Sequence, residues 1–104
     1  MGTYSVHISE LAESDLKEIG RYIVEELLEP TIALKLVDKI SDAALSLEEM
    51  PQRNTLVADE RLSTAGIRKL LVDNYIIFYV ISEKEKTVMV IRILYGRRDW
   101  LTLL

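Results

Sequence analysis

The stretch that decides the fold runs from residue 67 to residue 79 and reads Ile67-Arg68-Lys69-Leu70-Leu71-Val72-Asp73-Asn74-Tyr75-Ile76-Ile77-Phe78-Tyr79. Two runs rich in branched and aromatic residues flank Asp73-Asn74, a pair that suits a two-residue turn. The stretch therefore predicts a β-hairpin in which Val72 lies opposite Tyr75. Counting back in steps of two residues puts Arg68 opposite Tyr79 on the same face of the hairpin.

A third strand follows the hairpin. Residues 87–94 are rich in β-branched residues, and a short polar connection joins them to the hairpin. A four-residue connection would place Arg92 opposite Ile77, on the face that carries Tyr79. A shift of one residue would move Arg92 to the other face, with Phe78, so two registers remain open for this strand.

The N-terminal half predicts one short strand and two helices. Alternation over residues 4–8 indicates a strand, and apolar residues at helical spacing then indicate an amphipathic helix over about residues 10–28, with Ser9 as its N-cap. Pro30 opens a second amphipathic helix that stops near Met50-Pro51. Because few residues join the two helices, we expect them to lie antiparallel as a helical hairpin.

These elements combine into a single compact α+β domain over residues 1–104. Residues 51–66 show no sustained period and indicate a loop with one helical turn. The element order is then β-α-α-β-β-β, and neither a repeat nor a linker divides the chain. We expect an antiparallel β-meander that packs one face on the helical hairpin and shows the other to solvent or to a partner.

Composition argues against several classes of function. The chain has no cysteine and one histidine, His7, so we expect no disulfide, no metal site and no cofactor. No apolar run approaches the roughly 20 residues of a membrane span and no signal peptide is visible, which favours a cytoplasmic protein without a membrane partner. The glycines are scattered, so there is no phosphate-binding loop or dinucleotide fingerprint, and no nucleophile elbow is present. Any catalysis would have to use Arg, Lys and Tyr side chains.

Charge is unevenly distributed along the chain. The net charge is −4, but residues 1–50 carry four basic and eleven acidic residues, whereas residues 51–104 carry nine basic and six acidic residues. The basic half could face an anionic partner, although mixed surface charge of this size also occurs where only solubility is needed.

The C-terminal stretch adds cations and an aromatic residue at the end of the last strand. Arg97, Arg98 and Trp100 follow directly after Gly96. Together with strand arginines and tyrosines they would form a surface that suits phosphates, stacked bases or a partner protein. The competing interpretation is that strand tyrosines pack in the core and strand arginines are solvated. The candidate binding residues are Arg68, Tyr75, Tyr79, Arg92, Arg97, Arg98 and Trp100.

Nearly the whole chain resembles the RelE/ParE superfamily of type II toxin–antitoxin toxins. The amphipathic opening at residues 9–23 and the helix end at 47–51 fit this family, and the strand pair at 67–79 and the C-terminal stretch 91–100 are the more specific matches. The resemblance implies a compact fold with the same element order. It also implies a cognate antitoxin whose extended segment wraps the toxin and blocks its target surface, and it allows for higher-order toxin–antitoxin complexes.

Members of the superfamily have one of two activities, and the chain departs from the first. RelE-like members cut mRNA in the ribosomal A site with a basic, tyrosine-containing face. Lys69 and Arg98 match basic positions of that set, and Tyr95 stands where many relatives have histidine, so these three are the candidate catalytic residues of a metal-independent ribonuclease. However, Ile76 and Leu104 stand where those members carry an arginine and a tyrosine.

The second activity is inhibition of DNA gyrase by ParE-like members, which have no established catalytic set. The long helical hairpin and the Tyr-Gly-Arg-Arg-Asp tail resemble these members more closely. An acidic protein is also poorly suited to docking on ribosomal RNA. The favoured hypothesis is therefore a gyrase inhibitor that arrests bacterial growth. A ribosome-dependent endoribonuclease and an inactive toxin-fold remnant that only binds its antitoxin are the alternatives.

The same residues lead to an expectation about neutralisation. An antitoxin tail with alternating apolar and acidic residues would add a strand or helix on the open face of the meander. Trp100 would be a buried anchor of this complex, whereas Arg97 would mainly set the rate of association.

Overall fold

The computed structural model describes residues 3–104 and contains a four-stranded sheet, two long helices and one short helix. The elements are β1 Ser5–Ile8, α1 Glu10–Glu25, α2 Pro30–Leu45, α3 Glu60–Thr64, β2 Arg68–Val72, β3 Tyr75–Ser82 and β4 Thr87–Tyr95, with 3₁₀ turns at Ser46–Glu48, Pro51–Arg53 and Trp100–Thr102. Apart from α3, the helical turn expected within residues 51–66, this is the predicted β-α-α-β-β-β order. The α+β class is thereby confirmed.

The first helix begins at its predicted cap and ends earlier than predicted. The Ser9 hydroxyl accepts a hydrogen bond from the Ala12 N–H at 3.0 Å, which satisfies one of the free donors at the helix start. The helix ends at Glu25, and three residues later Leu28 takes a left-handed conformation with φ of 55°. This bend brings the chain back to Pro30, where α2 begins.

The second helix also ends earlier than predicted. It stops at Leu45, and the chain continues to Met50 through a 3₁₀ turn and extended backbone. α1 and α2 pack against each other, and α1 packs on β4, so the helical hairpin covers one face of the sheet.

The sheet has the strand order β1-β4-β3-β2, with β1 at one edge and parallel to β4. The parallel pairing requires a long crossover between the two strands, and the helical hairpin together with the rest of the chain provides it. β2 forms the opposite edge, and the segment before it adds one bridge there, between Leu56 and Arg68.

The hairpin of β2 and β3 has the register predicted from the sequence. Val72 lies opposite Tyr75, and Arg68 lies opposite Tyr79. The Asp73-Asn74 turn closes it, with Asp73 at a positive φ of 53°, as such tight hairpin turns require.

The register between β3 and β4 changes along the strands. It starts as a four-residue connection predicts, with Ser82 opposite Thr87, and then shifts by one residue at a β-bulge next to Phe78. Arg92 consequently lies opposite Phe78. The alternative that placed it opposite Ile77 is therefore wrong, because the bulge inserts one extra residue into β4.

Side chains of the α1 N-cap and of α1 itself hydrogen-bond to the backbone of β4 beside the bulge. The Ser9 hydroxyl donates to the carbonyl of Ile91 at 2.9 Å. The carboxylate of Asp15 accepts a hydrogen bond from the N–H of Ile93 at 3.0 Å. The bulge is thus held by the helix that packs on it.

The two faces of the sheet are both covered over much of their area. The helix-facing core includes Ile19, Ile23, Ile40, Leu47, Ile77, Tyr79, Val88, Val90 and Ile93. A second cluster on the opposite face contains Val57, Leu62, Ile67, Ile76, Phe78 and Leu94, with Trp100, Leu103 and Leu104 packed against it. The expectation of an open second face is therefore wrong where these residues pack, because the loop before β2 and the C-terminal residues fold over the sheet.

Candidate functional site: a tyrosine-lined groove

A groove opens between α1 and the end of the sheet where β3 begins and β4 ends. Tyr75 and Tyr95 are paired across these strands, and their rings meet edge to face with centroids 5.6 Å apart. The groove encloses about 660 Å³. We call it the tyrosine groove; its lining residues are Asp15, Glu18, Ile19, Tyr22, Leu27, Tyr75, Ile93, Leu94, Tyr95 and Arg98.

Tyr75 is the centre of this region. It also lines two neighbouring depressions of about 260 Å³ and 350 Å³. Burial raises the pKa of Tyr75 above its ordinary value, and the nearby phenols of Tyr95 and Tyr22 raise it further. At neutral pH this side chain is therefore an uncharged hydrogen-bond donor on an apolar ring, which suits binding better than base catalysis.

Positively charged side chains lie around Tyr75, both near the end of the sheet and near α2. Arg98 lines the tyrosine groove. Arg97 lines the depression of about 260 Å³, and Lys35 and Lys39 line the depression of about 350 Å³. The Lys39 ammonium is paired with Asp73 at 2.8 Å. Both arginines are exposed, and within residues 3–104 their side chains have neither a hydrogen-bond nor an ion-pair partner. They can bind an acidic segment without first breaking an internal contact.

Three of the seven predicted binding residues meet in this region, and four lie elsewhere. Tyr75, Arg97 and Arg98 surround the groove together with Tyr95. These positions do not test the binding roles predicted for the residues, and those roles stay predictions. The four that lie elsewhere are Arg68, Tyr79, Arg92 and Trp100.

Arg68 and Tyr79 lie at the far end of the hairpin and hold the loop that precedes α3. The Tyr79 hydroxyl is buried and donates to the carbonyl of Pro51 at 2.6 Å. Burial raises the pKa of Tyr79, although its hydrogen bond with Asn54 acts in the opposite direction. The guanidinium of Arg68 donates to the Asn54 carbonyl at 2.6 Å. The expectation that Tyr79 lies on an open surface is wrong, because this face packs on the helices.

Arg92 forms a largely buried ion pair with α1. Its Nε and Nη2 atoms each donate to the carboxylate of Asp15 at 2.8 Å, and Nη1 donates to the carbonyl of Leu103 at 3.3 Å. The hydrogen bond with Asp15 is the main cause of the raised pKa of Arg92. The guanidinium is therefore engaged within the protein and joins α1, β4 and the C-terminal residues.

Trp100 and Lys69 also lie away from the groove. The Trp100 ring packs on Phe78 with centroids 5.2 Å apart, in the second cluster. Lys69 lies opposite Phe78, whereas Tyr95 pairs with Tyr75 on the helix-facing side. Because side chains alternate between faces along a strand, Lys69 and Tyr95 project from opposite faces of the sheet.

The helices contribute groove residues that sequence reasoning did not select. Tyr22 and Leu27 from the end of α1, and Lys35 and Lys39 from α2, line the region around Tyr75. The sequence contains one indication of this contribution, which is Tyr22, an aromatic residue outside the apolar stripe of α1. Helical spacing alone does not show which sheet residues such a side chain meets.

Neither a metal site nor a membrane span is found in the described part of the chain. Residues 3–104 bring no three potential metal-ligating side chains of His, Cys, Asp or Glu into one group. None of the helices in this range combines the length and apolar character needed to cross a bilayer.

Comparisons with known proteins identify the family. Residues 6–100 match the family described as the ParE toxin of the type II toxin–antitoxin system parDE. No curated protein matches the sequence. Among solved structures, the chain is similar to the chromosomal ParDE toxin–antitoxin system of P. aeruginosa, with a TM-score of 0.73 and 22% identity over 89% of this chain and 96% of that one.

Two further structures share the fold. The toxin–antitoxin complex RelBE2 of Mycobacterium tuberculosis has a TM-score of 0.66 and 19% identity, covering 89% of this chain and 98% of the other. A mutant of the E. coli toxin RelE in the free state has a TM-score of 0.66 and 13% identity, covering 97% and 92%. The family match extends over most of the chain and agrees with the fold, so the chain belongs to the ParE toxin family of the RelE/ParE superfamily of type II toxin–antitoxin systems.

Proposed function

We propose that this protein arrests bacterial growth by inhibiting DNA gyrase and that a cognate antitoxin neutralises it by occupying the tyrosine groove. The ParE family match supports the toxin role, and the similar P. aeruginosa structure is of a ParDE toxin–antitoxin system. The RelBE2 structure is likewise of a toxin with its antitoxin.

One observation favours gyrase inhibition over ribonuclease activity. Lys69 and Tyr95, two of the three residues that a ribonuclease would use, project from opposite faces of the sheet. Because a single reacting phosphate must contact all its catalytic groups at about 3 Å, these residues are poorly arranged to act together.

The tyrosine groove suits a peptide segment with apolar and acidic residues. Tyr75 and Tyr95 offer large, rigid surfaces next to an apolar floor, and such aromatic positions commonly contribute most of the affinity of an interface. Arg97 and Arg98 at the rim would attract acidic side chains and speed association.

An extended antitoxin segment could also pair with the free part of the β2 edge. The N–H of Lys69 already donates to the carbonyl of Thr55 at 3.2 Å, so the preceding loop covers the start of this edge. Leu71, two residues further along, is exposed and lines the depression beside Arg97. An added strand would therefore begin near Leu71 and lead towards the groove.

Expression in bacteria with purified-enzyme assays tests the target. We expect growth arrest with filamentation and DNA-damage signalling, reversal by the co-expressed antitoxin, and inhibition of supercoiling by purified gyrase. Cellular mRNA should remain uncut. Codon-specific mRNA cleavage in a translating extract, abolished by Arg98→Ala, would instead establish the ribonuclease alternative. Soluble expression that leaves growth unimpaired while the antitoxin still binds would indicate the remnant.

Binding measurements with the antitoxin test the groove. Tyr75→Ala should weaken binding by roughly 2 kcal/mol, about thirtyfold in the dissociation constant, because it removes the central ring. Arg97→Ala should mainly slow association and reduce its salt dependence. Lys84→Ala is the matched control, since Lys84 is an exposed cation in the turn at the other end of β3. If Tyr75→Ala binds like wild type, the groove is not the antitoxin site.

A further inference from the structure

The turn between α1 and α2 carries an unusually exposed apolar side chain on a strained backbone. Leu28 has a φ of 55°, and the residue is 78% exposed, more than any other large apolar residue within residues 3–104. The Glu29 N–H donates to the carbonyl of Ile23 at 3.2 Å, so the turn folds back on the end of α1 with Leu28 in the left-handed conformation. Glycine would adopt this backbone at lower cost than leucine.

Leu28 belongs to a larger apolar surface at the end of the helical hairpin. Tyr22, Leu27 and Ile32 are each more than half exposed and surround the same turn. We call the four residues the hairpin tip. Leu27 and Tyr22 also reach the tyrosine groove and Ile32 reaches a neighbouring depression, but Leu28 lines none of these cavities. The side chain of Leu28 can therefore be changed without altering the lining of the groove.

Acidic residues surround the hairpin tip. Glu25, Glu26 and Glu29 lie within the same turn and are all exposed. This rim would repel nucleic acid and anionic membrane surfaces, and it would repel an identical tip on a second copy of the chain. An apolar centre with an acidic rim is complementary to a protein surface with an apolar pocket and surrounding Lys or Arg side chains.

The charge at the tip is opposite to that around the groove. Tyr22 and Leu27 line both surfaces, but an acidic segment suited to Arg97 and Arg98 would be repelled by Glu25, Glu26 and Glu29 and would not extend from the groove over Leu28. We infer that the hairpin tip is the surface through which the toxin engages the protein target whose inhibition arrests growth, with Leu28 entering a basic-rimmed apolar pocket. This inference rests on the proposed toxic function, but it holds for any protein target and not only for gyrase.

Leu28→Gly provides a selective test, because it removes the apolar side chain and relieves the left-handed backbone. We expect its melting temperature to equal or exceed that of wild type within a few degrees. In cells it should lose growth arrest, and with purified gyrase the concentration for half-inhibition of supercoiling should rise at least tenfold. Antitoxin binding should change less than twofold, since Leu28 does not line the groove.

Two further variants make the test specific. Leu11→Ala is the matched control, because Leu11 is also a leucine with an exposed side chain, but it lies at the other end of α1, more than 20 Å away by helix length. It should retain full growth arrest. The double variant Glu25→Lys with Glu29→Lys should weaken growth arrest while keeping the apolar centre, because it reverses the rim charge.

The outcomes separate the inference from the gyrase proposal. Growth arrest by wild type without inhibition of gyrase would refute the gyrase proposal alone, and loss of arrest in Leu28→Gly would still support the role inferred for the hairpin tip. Full arrest by a stable Leu28→Gly protein would overturn that role, whatever the target. A wild-type protein that does not arrest growth would overturn both. If light scattering shows that wild type dimerises and that Leu28→Gly does not, the hairpin tip binds a second copy of the chain instead.

Discussion

Replacing Arg92 with leucine should strongly destabilise the protein, because it leaves Asp15 as a buried charge without its partner. The two side chains are only 16% and 11% exposed, and two hydrogen bonds of 2.8 Å join them. Breaking a buried pair by removing one partner typically costs about 3–5 kcal/mol. Asp15 keeps its hydrogen bond from the Ile93 N–H, so we expect a loss near the lower limit, about 3 kcal/mol in the free energy of unfolding.

This loss should be visible as a fall in melting temperature. For a chain of 104 residues, each kcal/mol corresponds to roughly 4–5 °C, so Arg92→Leu should melt about 13 °C below wild type. Circular dichroism during heating and urea titration at neutral pH would measure the change. Adding Asp15→Asn should recover a large part of the loss, because the neutral amide no longer leaves a buried charge and its oxygen can still accept from Ile93.

Arg21→Ala is the matched control for this experiment. Arg21 pairs with Glu18, but these side chains are 56% and 62% exposed, and exposed pairs contribute about 0–1 kcal/mol. We expect its melting temperature to stay within about 3 °C of wild type. If Arg92→Leu is as mild as Arg21→Ala, the pair does not hold α1 on the bulge, and our account of the β4 register is refuted.

Three further predictions concern the core and its edges. Gly20→Ala should stabilise the protein by about 0.5 kcal/mol in urea titration, since the added methyl would meet Val37 at an ordinary 3.4 Å and glycine is costly within a helix; a loss would show that α1 and α2 pack too closely there. Tyr79→Phe should lose about 1–2 kcal/mol through its two hydrogen bonds. Because burial raises the folded-state pKa of Tyr79 above 10.0, the contribution of its phenol is fully present below pH 10.0 and is lost as the pH rises through the folded-state pKa. Wild type should therefore lose more stability than Tyr79→Phe in alkaline unfolding titrations, and parallel curves would contradict this. Trp100→Ala should cost about 2 kcal/mol because its ring packs on Phe78; calorimetry with the antitoxin on the folded variant will show whether Trp100 is also an anchor, and unchanged binding would limit it to packing.

The sequence by itself determined the elements and the pairings between neighbours in the chain. Asp73-Asn74 between two apolar runs specifies a hairpin because turn geometry fixes the register of the strands it joins. Ser9 and Pro30 mark helix starts because capping and the fixed φ of proline act within one turn. The family resemblance of residues 67–79 and 91–100 was visible for the same reason, since these motifs lie in continuous stretches.

Only the tertiary structure decided the features that depend on residues distant in the chain. The bulge that places Arg92 opposite Phe78 is held by Ser9 and Asp15, about 80 residues earlier, so no local pattern in β4 could show it. Tyr79 lies in the core instead of on a surface, because the helices pack on its face of the sheet.

The candidate site has the same origin. Tyr75 and Tyr95 become neighbours through strand pairing, and Tyr22 joins them only because α1 packs beside that end of the sheet. Propensity and periodicity report how each segment folds, whereas a groove is formed by the positions of several segments relative to one another. Those positions are set by the burial of apolar surface over the whole chain, and a one-dimensional pattern does not contain them.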